Sequence, residues 1–344
     1  MAHFPIPPPP SPPSPPRYMD ASDPDQRVPS RGALMGRNRN KPRLMIKQLS
    51  NDNEIHDHYT TLQLLGRGGE DLARTFDVRL VRHKRIRCAM KVQSLVPDSD
   101  EDEIEEDAEG RVMNEIQILN NVLPPHKHIV ELRDILLGVE KFFIVTERCA
   151  SNDLVEFYPT ANNTRARNIF KQLVETVQFM HDYGVVHYDL KAQNVLFDTT
   201  LMRDIKIIDF NKARYYRDLA TKTYNNFNPD RYYWSDRHNF RPGDPYKQTL
   251  PDIRQLGNIL YSMLAGTEVQ LGVDDFYETD DLPEVRTQVF SSEAIHLLSL
   301  IGPSKWLIPN PGPRSALRLT NNMRLEPVTP VPGTREILQH PWIA

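Results

Sequence analysis

The feature that most constrains this chain is a polar run clamped between two apolar ones. His187-Tyr188-Asp189-Leu190-Lys191-Ala192-Gln193-Asn194 follows Val185-Val186 and precedes Val195-Leu196-Phe197. A short polar loop anchored at both ends by buried residues is held rigidly, and rigid placement is what catalytic groups require. Asp189 can accept a proton from a hydroxyl nucleophile. Lys191 can reach a transferring phosphoryl group, and Asn194, five residues beyond Asp189, can hold a metal ion. Fifteen residues after Asn194, the apolar pair Ile207-Ile208 ends in a second carboxylate, Asp209, followed by Phe210 and Asn211. Mg2+ takes one or two carboxylates plus phosphate oxygens more readily than an all-protein cage, and Asn194 with Asp209 suits that need.

In this order and spacing, the two segments resemble the catalytic loop and the metal motif of eukaryotic protein kinases, whose usual forms are His-Arg-Asp-Leu-Lys-x-x-Asn and Asp-Phe-Gly. Other segments resemble the same family in order. Cys88-Ala89-Met90-Lys91 is similar to the strand whose Lys holds the α- and β-phosphates, and Met113-Asn114-Glu115-Ile116 to the helix whose acid, here Glu115, pairs with that Lys. Residues 144–149 look like the strand entering the hinge, with Thr146 as gatekeeper and the backbone near Glu147 and Cys149 against adenine. Residues 252–261 resemble the buried helix that anchors the catalytic loop, and residues 336–343 the last helix of Ser/Thr kinase domains.

The resemblance covers residues 59–344 and implies ATP and Mg2+ as cofactors. It implies catalytic roles for Asp189, Lys191, Lys91 and Glu115, and Asn194 and Asp209 as metal ligands. It implies a nucleotide site formed by Gly66, Gly68, Val78, Ala89, Lys91, Glu147, Cys149 and Leu196. The implied reaction is transfer of the γ-phosphoryl group of ATP to Ser or Thr hydroxyls of protein substrates, with Lys191 favouring Ser/Thr over Tyr.

The rest of the chain sets the fold class. Residues 60–65, 77–81, 87–92, 129–137 and 141–146 read as strands. Val112, Ile116 and Leu119 share one helical face, and residues 166–182 carry apolar side chains at i, i+3, i+4 spacing with Gly184 just beyond. Further helices are expected at 252–264, 293–301 and 334–340. Strands followed by helices predict an α+β, two-lobed kinase-like fold, with a strand-rich N-lobe over about 59–147 and a helical C-lobe over about 148–344. Residues 1–47 are expected to form a separate, disordered, proline-rich tail. Its Pro runs favour polyproline II, the conformation that SH3 and WW domains read. Residues 98–109, nine of them acidic, read as a solvated insertion, because self-repulsion opposes packing.

The net charge of −4 gives no reason to expect nucleic-acid binding, and no apolar run is long enough to span a membrane. Cys88 and Cys149 fall in segments read as buried strands, so no disulfide framework is expected. With no secretory signal, cytoplasm or nucleus is the expected compartment.

Four departures from the family pattern stand out. The Gly-rich loop, residues 65–71, lacks its third glycine. Either Asp71 replaces it, or the loop carries an insertion with Phe76 at its tip and Asp77 in the third position. The second reading is preferred, and either puts an acid near the phosphates. Tyr188 replaces the Arg that normally holds a phosphate on the activation loop. Asn211 replaces the Gly of the metal motif, and Asn tolerates left-handed backbone. The motif that closes the activation segment has two candidates, residues 228–230 and 241–244. The irregular Gly-rich loop and the unclear end of the activation segment support a second reading, a kinase-like scaffold (a pseudokinase) with weak or no catalysis.

Overall fold

The structure is a computed structural model and describes residues 43–67, 73–95, 108–215, 245–269, 283–302 and 331–344. The expected tail up to residue 42, most of the acidic insertion and both candidates for the end of the activation segment lie outside these residues.

The N-lobe is a six-stranded sheet in the order β1-β5-β6-β4-β3-β2. Its strands are β1 (Lys47–Gln48), β2 (Tyr59–Arg67), β3 (Arg74–Leu80), β4 (Arg87–Ser94), β5 (Leu132–Leu137) and β6 (Lys141–Glu147). All neighbours pair antiparallel except β1 with β5. Side chains alternate across the pleat, which gives the sheet two distinct faces. On one face Val78, Cys88, Met90, Phe143 and Val145 pack with Leu49, Ile55 and Tyr59. The other face meets helix α1 (Ala108–Gln117), whose Val112 and Ile116 pack with Ile135, Phe142 and Ile144.

This packing moves the expected boundary of the N-lobe. Lys47 lies in β1, and Leu49 and Ile55 close the outer face of the sheet, so residues 47–58 belong to the lobe rather than to a tail or linker. Burying each such aliphatic side chain contributes about 1.5–3 kcal/mol.

The C-lobe is built around α2 (Asn163–Asp182). Asn162 caps its start by accepting the Arg165 N–H, and Gly184 ends it at φ 76°. Ile169, Phe170, Leu173, Val174, Val177 and Met180 form its buried stripe. Against it pack α3 (Pro245–Ala265), α4 (Ser292–Ile301) and α5 (Thr334–Leu338). Helix α3, expected from Asp252, begins seven residues earlier in the structure, at Pro245, and runs through Pro251. The C-terminal Trp342 docks on α2 by donating from Nε1 to Asn163 at 2.9 Å.

Two small sheets complete the lobe: β7 (Val185–Val186) pairs with β10 (Arg214–Tyr215), and β8 (Val195–Phe197) pairs with β9 (Ile205–Ile207). They hold the ends of the polar loop and of the Asp209 segment. Among the described residues no helix is long and apolar enough to cross a membrane.

Candidate active site

The polar loop lies between β7 and β8 and is fastened by α3. Fully buried Asp252 accepts the backbone N–H of His187 at 3.0 Å and of Tyr188 at 2.9 Å, and lies 2.8 Å from His181 Nε2. Gln255 accepts the Leu190 N–H at 2.9 Å and donates to the Tyr188 carbonyl at 2.7 Å. These bonds hold Tyr188 at φ 65°. A bulky residue adopts that left-handed conformation only at a cost of about 1–3 kcal/mol.

His187 ties the loop to the next segment. Its Nδ1 accepts the Asp189 N–H at 3.3 Å, and its Nε2 lies 3.1 Å from the Ile208 carbonyl. That network assigns the ring proton to Nε2. The ring packs edge-on to Phe210 at 4.8 Å.

The Asp189 carboxylate is 18% exposed. Asn194 Nδ2 donates to the Asp189 carbonyl at 2.7 Å and to its carboxylate at 3.1 Å. Lys191 Nζ lies 3.2 Å from the same carboxylate, and Lys212 Nζ 3.8 Å. With its nitrogen committed to Asp189, Asn194 has its amide oxygen left as a hard donor of the kind Mg2+ takes.

Across the cleft, Lys91 on β4 bonds Glu115 on α1 at 3.1 Å and Asp209 at 2.9 Å. Burial alone would lower the Lys91 pKa, but the carboxylates of Asp209 and Glu115 outweigh it and hold the ammonium well above the ordinary lysine value. Burial pushes the Asp209 carboxyl up, yet Lys91 more than offsets this and holds it below the usual range. For Glu115 burial wins, and its pKa is raised. One ammonium is therefore shared unequally, and Asp209 stays anionic, as a metal ligand must. The left-handed turn at this motif falls on Asp209 itself, at φ 62°, and not on Asn211.

The β-register decides which residues roof the cleft. Lys91 reaches Asp209, so its side of the sheet is the cleft side. Ala89 shares that face by alternation and pairs with Asp77, while Thr75 pairs with Lys91 and Gly66 with Thr75. A Cβ at Gly66 would meet nothing within 4 Å, which leaves room above it.

Val78 does not line the cleft, contrary to expectation. It pairs with Cys88 and is fully buried on the opposite face, and Asp77 holds the roof position instead. The expected loop tip at Phe76 is also corrected. Phe76 lies inside β3 opposite Met90, and Asp77 is a strand residue paired with Ala89 and bonded to Arg148 of the hinge. Gly68 and Asp71 lie outside the described residues.

Asp77 is fully buried and doubly bonded by Arg87, once at 3.1 Å and once more closely, and by Arg148 Nε at 3.1 Å. Burial opposes its charge, but the two guanidinium groups hold its pKa below the usual carboxylate value. Arg148 stands in the hinge itself and also donates to the Cys149 carbonyl and to Ser151 Oγ. Thr146 Oγ1 donates to the Glu147 carbonyl at 3.3 Å. Both hinge carbonyls thus carry side-chain donors.

The Glu147 carboxylate turns away to Lys206 at 2.6 Å and to the Glu131 N–H at 2.9 Å. Cys149 is buried, and burial pushes its thiol up to about 12. Leu196 is half-buried between fully buried Val195 and Phe197, so alternation turns it out of the C-lobe core.

The site therefore has two ends. Near Asp189 and Asp209 the donors suit a Mg2+ that completes its shell with phosphate oxygens, since among the described residues no three His, Cys, Asp or Glu could hold a metal alone. At the hinge end, Asp77 and the two guanidinium groups that cover its carboxylate take the roof position where the apolar face of a base would stack. The sequence reading missed Arg148 and Asn114, because their partners lie 71 and 97 residues away and no short motif joins them.

Comparison with known proteins agrees with the architecture. Residues 59–343 match the protein kinase domain family. Serine/threonine-protein kinase PSK1 of Saccharomyces cerevisiae is 29% identical over 203 residues, which is 56% of this chain and 14% of that protein. NUAK family SNF1-like kinase 2 of Rattus norvegicus is 28% identical over 64% of this chain and 33% of its own length. Serine/threonine-protein kinase pim-2 of Danio rerio is 29% identical over 67% of this chain and 68% of its own length. The first two relatives are thus spanned by this chain over a third of their length or less. Among solved structures, titin kinase with its flanking domains superposes with a TM-score of 0.54 at 20% identity, covering 87% of this chain and 49% of that one, which shows a shared fold.

Proposed function

We propose that this chain, which belongs to the protein kinase family, transfers the γ-phosphoryl group of ATP to Ser or Thr hydroxyls of protein substrates. The observation that carries the proposal is the convergence of Lys91, Glu115 and Asp209 from three separate elements within 2.9–3.1 Å, facing a loop that presents Asp189, Lys191 and Asn194.

Asp189 orients the substrate hydroxyl and accepts its proton. Lys91 holds the phosphates that precede the scissile bond, and Glu115 keeps Lys91 in place. Lys191 faces the developing charge on the transferred group. A Mg2+ held by Asp209 and Asn194 would supply charge neutralisation between the phosphates. The test is transfer of radioactive phosphate from ATP to generic protein substrates, with Asp189→Asn as control. Transfer lost in the control supports the reading, and equal transfer by both proteins rejects it.

The hinge end favours a second reading, a kinase-like scaffold. Asp77 and Arg148 bring charge to the place where the base stacks, so nucleotide binding is weakened. Absence of transfer at millimolar Mg-ATP, from a protein that melts cooperatively, would select this reading.

A further inference from the structure

Helix α1 must present Glu115 to Lys91, and one ion pair at 3.1 Å joins them. Glu115 is 5% exposed, and the desolvation of a buried pair offsets much of its attraction, so the pair alone anchors the helix weakly. A second contact, from the preceding residue on α1, does not depend on charge. The Asn114 carboxamide nitrogen lies 3.3 Å from the Phe210 carbonyl, 2.9 Å from that of Asn211 and 2.6 Å from that of Ala213. Asn114 is 9% exposed, so these bonds are shielded from water.

The three carbonyls converge only because residues 210–213 form a turn, closed by the Ala213 N–H on the Phe210 carbonyl at 3.1 Å. In an extended chain, successive carbonyls point to alternate sides and could not meet at one nitrogen. The contact therefore reads the turned conformation of the segment that begins at Asp209.

We propose that Asn114 is the positioning residue of this site: its carboxamide couples helix α1 to the 210–213 turn, so that Glu115 and Asp209 reach Lys91 together. The proposal rests on reading the cleft as a phosphoryl-transfer site. The coupling uses only α1 and the turn.

Two substitutions test it. Asn114→Ala removes the donors, and Asn114→Asp keeps the shape but sets acceptor oxygens against three carbonyls. Losing hydrogen bonds of ordinary strength predicts that Asn114→Ala lowers kcat roughly tenfold to a hundredfold, with Asn114→Asp lower still. In a Glu115→Gln background, Asn114→Ala should add little, since both changes act through one arrangement.

Native-state amide exchange separates this inference from the functional reading. In Asn114→Ala, exchange should rise in α1 and in residues 207–214 and stay unchanged in α2, whether or not the protein transfers phosphate. Local exchange without any wild-type transfer would sink the functional reading and keep the coupling. Wild-type kcat and exchange in Asn114→Asp would overturn the coupling. So would a uniform rise in exchange across α2, or full additivity with Glu115→Gln.

Discussion

The two ends of the cleft are built on different terms. At the reacting end, Lys91 bonds Glu115 and Asp209 from two other elements, and Asp189 and Asn194 bond each other within one loop. At the hinge end, an ionised Asp77 replaces an apolar roof, and Arg148 bonds it to the hinge. Chemistry explains the contrast. A transferring phosphoryl group demands particular charges at particular points, whereas a base needs chiefly a slot of the right width and a few backbone groups. The hinge end can change composition without changing the reaction.

The largest effect is expected at the reacting end. Lys91→Met and Asp209→Ala should each lower transfer by at least roughly a hundredfold, in line with the loss of other groups that stabilise a transition state electrostatically. Both variants should still fold. In Lys91→Met, Glu115 is already biased by burial toward its protonated form and can lose its charge when its partner goes. Thermal melting with initial-rate measurement checks both points. A well-folded variant with near-normal turnover would break the comparison at its stronger side.

A smaller effect, of opposite sign, is expected at the hinge end. Asp77→Val makes the roof apolar and frees Arg148 and Arg87, of which Arg87 is already half exposed. The KM for ATP should fall about threefold to tenfold, with kcat within about twofold of wild type, as for a change in uniform binding. A rise in KM would show that the Asp77–Arg148 bond shapes the slot rather than obstructs it.

The same contrast explains what was legible in the sequence. The reacting end was legible because its groups bunch within a few residues: Asp189, Lys191 and Asn194 fit in one loop, and Asp209 follows at the end of an apolar strand. Most strands and helices were legible from their periodicity, with ends shifted by a few residues, as in α2, expected from 166 and found from Asn163. The roof was not legible. A strand alternates sides at every residue, so a one-residue slip in register carries Val78 from the cleft to the core and brings Asp77 in. Residues 47–58 were missed for a different reason. Lys47 pairs with Leu136, 89 positions away, in a parallel contact that no local pattern announces. The Asn114 contacts are equally remote.

The smallest effect expected concerns phosphorylation, and it sharpens the claim that the reacting end holds itself together. Tyr188 stands where the family carries an Arg that binds a loop phosphate. A phenol cannot make the bidentate, charge-assisted contact of a guanidinium. In this fold the Tyr188 ring lies under Arg214, whose guanidinium carbon is 6.0 Å from the ring centroid, and burial raises the pKa of the phenol, keeping it neutral. The loop is fixed instead by Asp252 and Gln255, and the Asp209 segment by Asn114, none of which gains a bond from a phosphate. Thr221, Thr223 and Tyr224 lie outside the described residues. Phosphatase treatment of the purified protein, checked by mass spectrometry, should therefore change initial rates by less than about twofold, a barrier change under roughly 0.4 kcal/mol. A loss beyond about tenfold, restored on rephosphorylation, would mean that a phosphate contributes roughly 1.4 kcal/mol to a reacting end that these internal bonds do not complete.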